Sequence, residues 1–341
     1  MNRAGEINQI FDDISYAKGS CVLRMLSTHI GEDVFLKGVQ NYLKKHEYGS
    51  TKTEDLWDAL SAASGEPLHE VMATWTKKIG YPLLTVTEKD DGKTITVKQN
   101  RFLRTGDVKE ADDEILYPTF LNLRTQDGVD KSQTLKEREQ TFELSSTDFY
   151  KLNADHTCLY RTLYPPHRLN KLAENVRQGL LPPEDRTGLV ADTGALAAAG
   201  YQRTSGFLTL LKGFEAEAEF VVWKEILSRL GSVRAAWMFE DEGVKDALKA
   251  FQRELIGKKV HELGWSFSEE DGHVAQQFKT LLFGAAGSAG DEKVVGSAME
   301  MFDKYAAGDK SAIPSNIRRS VFTIALENGG DKEVSSVLIS H

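Results

Sequence analysis

Two short patterns in this chain are built from residue types that do chemistry. The first is His69-Glu70-Val71-Met72-Ala73. It begins like the helical motif in which two histidines four positions apart hold a zinc ion and the glutamate between them acts as base. Ala73 stands where the second histidine would be, and none of the 8 histidines has another four positions away. One imidazole cannot supply the roughly three protein ligands of a catalytic zinc. Without a metal-bound water, Glu70 would have nothing to activate. His69 is therefore read as an exposed residue in the first turn of a helix. The second pattern is Tyr16-Ala17-Lys18-Gly19. A phenol donates a hydrogen bond that strengthens as negative charge develops on the acceptor, which is the chemistry of an oxyanion stabiliser. Taken alone, four residues fit a buried structural tyrosine better.

Other catalytic signatures are missing: there is no GxSxG, Walker loop, GxGxxG or CxxC. The glycine-rich run Gly284–Gly290 lacks the lysine of a phosphate loop and reads as an interhelical turn. The acidic stretch Lys109–Glu114 matches no metal loop and reads as solvated. The 2 cysteines, Cys21 and Cys158, are far apart and predict isolated, buried or half-buried thiols rather than a disulfide. With no Asn-x-Ser/Thr acceptor and no apolar leader among the first residues, a reducing, cytoplasmic setting fits. Lysine and arginine total 42 against 51 aspartates and glutamates, a net charge of −9 that argues against nucleic acid as partner. No apolar run is long enough to span a bilayer.

The elements that must position these residues fall into three blocks. Residues 1–80 carry helical spacing. Their apolar faces are Ile7, Ile10, Phe11 and Ile14; Val22, Met25, Leu26 and Ile30; and Phe35, Val39, Tyr42 and Leu43. Thr53 suits an N-cap before Leu56, Trp57 and Leu60, and Pro67 suits the first turn of a helix burying Leu68, Val71, Met72, Trp75 and Ile79. From residue 81 to 164 the period becomes two, with a hairpin about Asp90-Asp91-Gly92 and strands at Tyr117–Arg124, Gln140–Leu144, Tyr150–Asn153 and Leu159–Tyr164. That pattern predicts a small β-sandwich. From 165 to 341 the helical period returns, with breaks at Gly200, Gly213, Gly231, Gly287, Gly308 and Gly329-Gly330, predicting an α-solenoid of helical hairpins. Trp223, Trp237 and Trp265 are expected in its core.

In this frame Ile14–Gly19 resembles the Tyr-x-Lys-Gly element of the aminopeptidase N and puromycin-sensitive aminopeptidase family of zinc enzymes. Tyr48–Trp57 (YGSTKTEDLW) is similar to the segment that follows that element's helix in the family, and Met72–Pro82 (MATWTKKIGYP) to the one that closes its catalytic domain. Lys151-Leu152-Asn153, Tyr160-Arg161 and Tyr164 resemble the end of its β-sandwich, and Leu181–Arg186 (LPPEDR) an opening helix of its C-terminal domain. Cys158 stands where the family's strand usually carries glycine, which puts the local turn in question.

The resemblance implies a multidomain α+β fold: the helical end of a thermolysin-like catalytic domain (1–80), a β-sandwich (81–164) and part of a helical HEAT/armadillo-like domain (165–341). It implies that Tyr16 is the transition-state oxyanion stabiliser of a whole enzyme that removes N-terminal residues from peptides. Zinc is that enzyme's cofactor. The HExxH and GxMEN elements are absent, so this chain is expected to hold no metal and to be inactive alone. It is also expected to end short of the full solenoid and to self-associate through the faces left bare. The alternative is a non-catalytic β-sandwich and solenoid module that binds peptides or proteins.

Overall fold

The computed structural model describes residues 14–329, so the expected helix through Ile7, Ile10 and Phe11 lies outside the described residues. A π-helical turn, Ile14–Lys18, runs directly into α1 (Gly19–Ile30), which buries Val22, Met25 and Leu26. After Gly31 comes α2 (Glu32–Lys45). Its expected apolar face is only half-buried, with Leu43 61% exposed; the residue it buries is Gly38. A Cβ at Gly38 would sit 2.7 Å from Leu60 Cδ2 and 3.2 Å from Leu60 Cα. Helix α2 thus lies backbone-close on α3 (Thr53–Ser64) through its smallest residue. Thr53 opens α3 rather than capping it, and the Asp55 carboxylate accepts the Lys52 N–H at 2.7 Å. Helix α4 (Leu68–Lys77) buries Leu68, Met72 and Trp75. Ile79, expected on that face, is exposed because the chain is already extended at Lys78.

Nine short strands follow among the described residues: β1 (Pro82–Glu88), β2 (Thr94–Arg101), β3 (Thr119–Phe120), β4 (Leu123–Thr125), β5 (Gly128–Asp130), β6 (Thr134–Leu135), β7 (Glu139–Glu143), β8 (Tyr150–Lys151) and β9 (Arg161–Leu163). One sheet has the order β7-β2-β1-β9, a second β5-β4-β8, and β3 pairs with β6. Strands β1 and β2 are antiparallel, with Val86 opposite Val97. The Asp91 carboxylate closes their turn by accepting the Lys93 and Thr94 amides at 2.9 and 2.8 Å. The stretch expected as one strand from Tyr117 to Arg124 is broken between β3 and β4, where Asn122 takes a left-handed φ of +43°. Its buried side-chain amide donates to Thr157 Oγ1 at 3.0 Å, which compensates the turn. The acidic run is also more than a solvated loop. Asp113 accepts from Asn100 Nδ2 at 2.6 Å and from the Arg101 amide at 2.5 Å, and lies 3.3 Å from Arg138.

The remaining helices are α5 (Pro166–Arg177), α6 (Pro183–Ala198), α7 (Thr204–Leu211), α8 (Phe220–Ala236), α9 (Glu242–Leu263), α10 (His273–Ser288), α11 (Glu292–Ala306) and α12 (Arg318–Asn328). The fold is therefore mixed α+β: helices, small sheets, then helices. Among the described residues, 14–175 with 192–206 form one compact unit and 176–191 with 207–329 another.

In the second unit successive helices from α8 to α12 pack on one another. Gly231 does not break α8, and Gly284 and Gly287 lie inside α10 rather than in a turn. A Cβ on Gly287 would be 2.1 Å from Ile324 Cδ1, and one on Gly284 2.9 Å from Ser320 Oγ. These glycines let α10 approach α12 closely; only Ala289 and Gly290, at φ +77°, make the connection to Asp291 and α11. Trp223 is fully buried and donates Nε1–H to the Glu217 carbonyl at 3.0 Å. Trp265 is half-buried against Phe283, and Trp237 is half-buried as well.

In the first unit Leu83 and Phe102 pack with Leu196 and Ala199. The same unit buries a charge. The Arg168 side chain is 0% exposed, its Nε 2.6 Å from Glu88 Oε1 and its plane 4.2 Å above the Tyr150 ring. Its other nitrogens donate to the Thr147 and Asp148 carbonyls. Glu88 also receives Tyr150 Oη at 2.8 Å and lies 3.0 Å from His167 Nε2. Burial opposes ionisation of Glu88, but the hydrogen bonds from Arg168, His167 and Tyr150 outweigh it and hold the carboxyl at about 2, below the ordinary 4.5. A carboxylate with a depressed folded-state pKa stabilises above its unfolded value and loses that contribution as pH falls through the folded one. That contribution is present at neutral pH. Denaturant midpoints measured from about pH 6 down to about pH 2 should fall steeply below about pH 4.5. Arg168→Met should cost about 3–5 kcal/mol at pH 7 and flatten that fall; an unchanged acid profile in the variant would overturn the assignment.

Candidate functional site

Tyr16 lies in the middle of the π-helical turn and is 63% exposed. Single π turns need an i→i+5 hydrogen bond, are rare, and occur often at functional sites. Two residues on, Lys18 ends the turn and occupies the N-cap position of α1, with φ −64° and ψ −43°. Its side chain is half-buried and turns back onto the fold. Nζ donates to the Lys78 carbonyl at 2.8 Å and to the Gly80 carbonyl at 3.2 Å. Burial lowers the Lys18 pKa below the usual lysine value.

The acceptor segment Lys78-Ile79-Gly80 joins α4 to β1 and is held from its other side. Tyr117 donates its hydroxyl to the Ile79 carbonyl, and Trp75 donates Nε1–H to the Pro118 carbonyl at 3.0 Å. The two rings pack 5.0 Å apart. Gly80 has φ +86°, and a Cβ there would meet Arg101 Nε at 3.0 Å, so only glycine fits without strain. Consecutive carbonyls of this strap therefore point alternately to Lys18 and to Tyr117. Nothing in the residue types of positions 78–80 announces that arrangement. The signal that existed was the recurrence of Lys18 and Gly80 in separate segments resembling one family.

His69 Nδ1 lies 3.2 Å from Asp58 Oδ1. One helical turn further on is Ala73. Among the described residues no group of three His, Cys, Asp or Glu side chains is placed to hold a metal ion. The described residues offer no donor set that fits a zinc ion. Both cysteines are free. Cys21 is exposed, contrary to the expectation of a buried or half-buried thiol, because it lies off the Val22, Met25, Leu26 face of α1. Burial raises the Cys158 thiol to about 12, which leaves it protonated and unreactive.

The segment around Cys158 is a structural clasp. Asn153, Asp155 and His156 take left-handed φ values of +59°, +56° and +49°; Cys158 does not, so the bend a glycine would serve is made upstream. Asn153 accepts the Cys158 amide at 2.8 Å and donates to the Cys158 carbonyl at 2.9 Å. Lys151 Nζ, buried, donates to the Leu152 and Asn153 carbonyls at 3.0 and 2.8 Å. Tyr160 donates to the Leu121 carbonyl at 2.6 Å, and Tyr164 Oη accepts the Leu152 amide at 2.8 Å. Arg161 pairs with Asp192 at 2.9 Å. Sequence reasoning placed these residues in strands and missed that their polar ends mainly satisfy backbone.

Comparison with known proteins bears on the whole chain. The family model described as the Peptidase family M1 domain matches residues 1–75, and that of the ERAP1-like C-terminal domain matches residues 149–339. "Aminopeptidase 2" of Candida albicans is 53% identical over 333 residues, 97% of this chain and 36% of its own length. "Alanine/arginine aminopeptidase" of Saccharomyces cerevisiae is 44% identical over 337 residues, 99% of this chain and 39% of its own length. "Glutamyl aminopeptidase" of Mus musculus is 30% identical over 343 residues, 97% of this chain and 35% of its own length. The chain belongs to the M1 peptidase family. It spans somewhat more than a third of the length of the curated relatives it matches. Among the described residues no helix is long and apolar enough to cross a membrane.

Proposed function

We propose that this chain serves as the part of a zinc aminopeptidase that closes the catalytic domain (residues 1–80), adds a β-sandwich (81–164) and carries helices of the C-terminal domain (165–341). The whole enzyme removes N-terminal residues from peptides and uses zinc. The chain holds no zinc of its own and does not hydrolyse peptides alone, a reading that rests on Ala73 standing where the second histidine of a zinc motif would be. The free thiols Cys21 and Cys158 support a reducing setting such as the cytoplasm. Leu36 and Leu43, half or more exposed on α2, support self-association of the isolated chain.

The observation that carries the reading is the exposed phenol of Tyr16 on a π turn, in a chain of this family. Tyr16 donates to the carbonyl oxygen of the scissile peptide. The bond strengthens as that oxygen becomes an oxyanion, so it lowers the barrier rather than tightening ground-state binding.

In a full-length aminopeptidase carrying this sequence, Tyr16→Phe should lower kcat by roughly 10²–10³-fold with little change in KM. Turnover of an aminoacyl-anilide within a few-fold of wild type would remove Tyr16 from the mechanism. For the isolated chain, elemental analysis after dialysis should find no stoichiometric zinc; one tightly held zinc per chain would show a site that the described residues do not reveal.

A further inference from the structure

We infer that Lys18 is a positioning residue: its ammonium, clamped on the Lys78 and Gly80 carbonyls, fixes the turn that aims the Tyr16 hydroxyl at the substrate carbonyl. This rests on the reading of Tyr16 as oxyanion donor.

The geometry sets the two side chains different tasks. At about 100° per residue in a helix, and somewhat less in a π turn, residues two apart project to roughly opposite sides. Tyr16 is 63% exposed, whereas Lys18 reaches back into the fold to main-chain oxygens sixty residues and more away. A lysine whose only duty is solubility keeps its ammonium in water. This one donates to two main-chain carbonyls, and burial lowers its pKa. The strap cannot yield toward the clamp, because Tyr117 holds the intervening Ile79 carbonyl and Arg101 crowds Gly80.

No side chain caps α1 at its start. Ser20 Oγ donates to the Ala17 carbonyl at 2.9 Å, within the same turn, and so does not fix the turn to the rest of the unit. The Lys18 ammonium does tie it, to carbonyls sixty residues and more away. A catalytic donor displaced by about 1 Å can lose on the order of 10²-fold in rate, so a small freedom of this turn is read in kcat.

The test is a double-mutant cycle in the full-length enzyme carrying this sequence, with active enzyme counted by bound zinc and substrate turnover followed to saturation. Lys18→Met keeps the aliphatic stem and removes the donors. It should lower kcat by roughly 10- to 100-fold and leave KM within a few-fold. Lys18→Arg, which can still donate to both carbonyls, should recover most of the loss. In a Tyr16→Phe background Lys18→Met should cost almost nothing more, because the group it positions is gone. A merely structural lysine gives a different result, with losses that multiply and no dependence on Tyr16. That outcome, or near-normal turnover of Lys18→Met beside a crippled Tyr16→Phe, overturns this inference alone. Near-normal turnover of Tyr16→Phe overturns the oxyanion reading, and this inference with it. If Lys18→Met does not fold, the cycle is run with Lys18→Gln and judged by the same outcomes.

Discussion

A guanidinium with no exposed surface sets the terms for the first compact unit. Arg168 sits at the start of α5 and is reached by the end of β1, by the loop before β8 and by the Tyr150 ring. Taking such a charge out of water is expensive unless every donor finds an acceptor and a countercharge stands close by. Glu88 supplies the countercharge and two main-chain carbonyls supply the rest. The arrangement leaves little freedom in register. A slip of β1 by one residue would turn Glu88 to the other face of the sheet and strand the arginine. The ion pair therefore specifies which strand end meets which helix start, besides what it adds to stability.

The junction between α4 and β1 meets a related demand with neutral groups. Carbonyls at the end of a helix and before a strand have no regular partner. Here they are met by a lysine from the start of α1 and a tyrosine from before β3. The clasp at Asn153 and Cys158 works in the same way, with side-chain amides and an ammonium standing in for ladder partners. Irregular backbone is tolerated at these places because each polar atom is answered by a specific side chain.

The periods of 3.6 and 2 place the helices and the principal hairpin correctly, because burying one face of an element leaves a trace every few residues. The trace fails where one residue type has two uses. Glycine at 287 marks close helix packing and not a turn, and nothing local separates the two, since the deciding atom belongs to Ile324. Ile79 carries an apolar side chain at helical spacing, yet the helix ends before it. Asn122 breaks a stretch of strand-like composition because its amide has a buried partner 35 residues on. The pattern Tyr16-x-Lys18-Gly19 stands out as residue types, but the atoms that Lys18 meets do not. They are main-chain oxygens, and any residue carries those.

That last fact reaches into how this chain can change by descent. Where two side chains meet, a substitution on one side can be compensated on the other, and the two positions drift as a pair. Lys18 meets peptide oxygens. Positions 78 and 79 can exchange their side chains freely and still offer the same acceptors, and only Gly80 is tied, by its backbone angle and by Arg101. The burden of keeping this contact falls almost wholly on one side. Comparing lineages for correlated replacements would show position 18 as solitary, although it is joined to a segment sixty residues away.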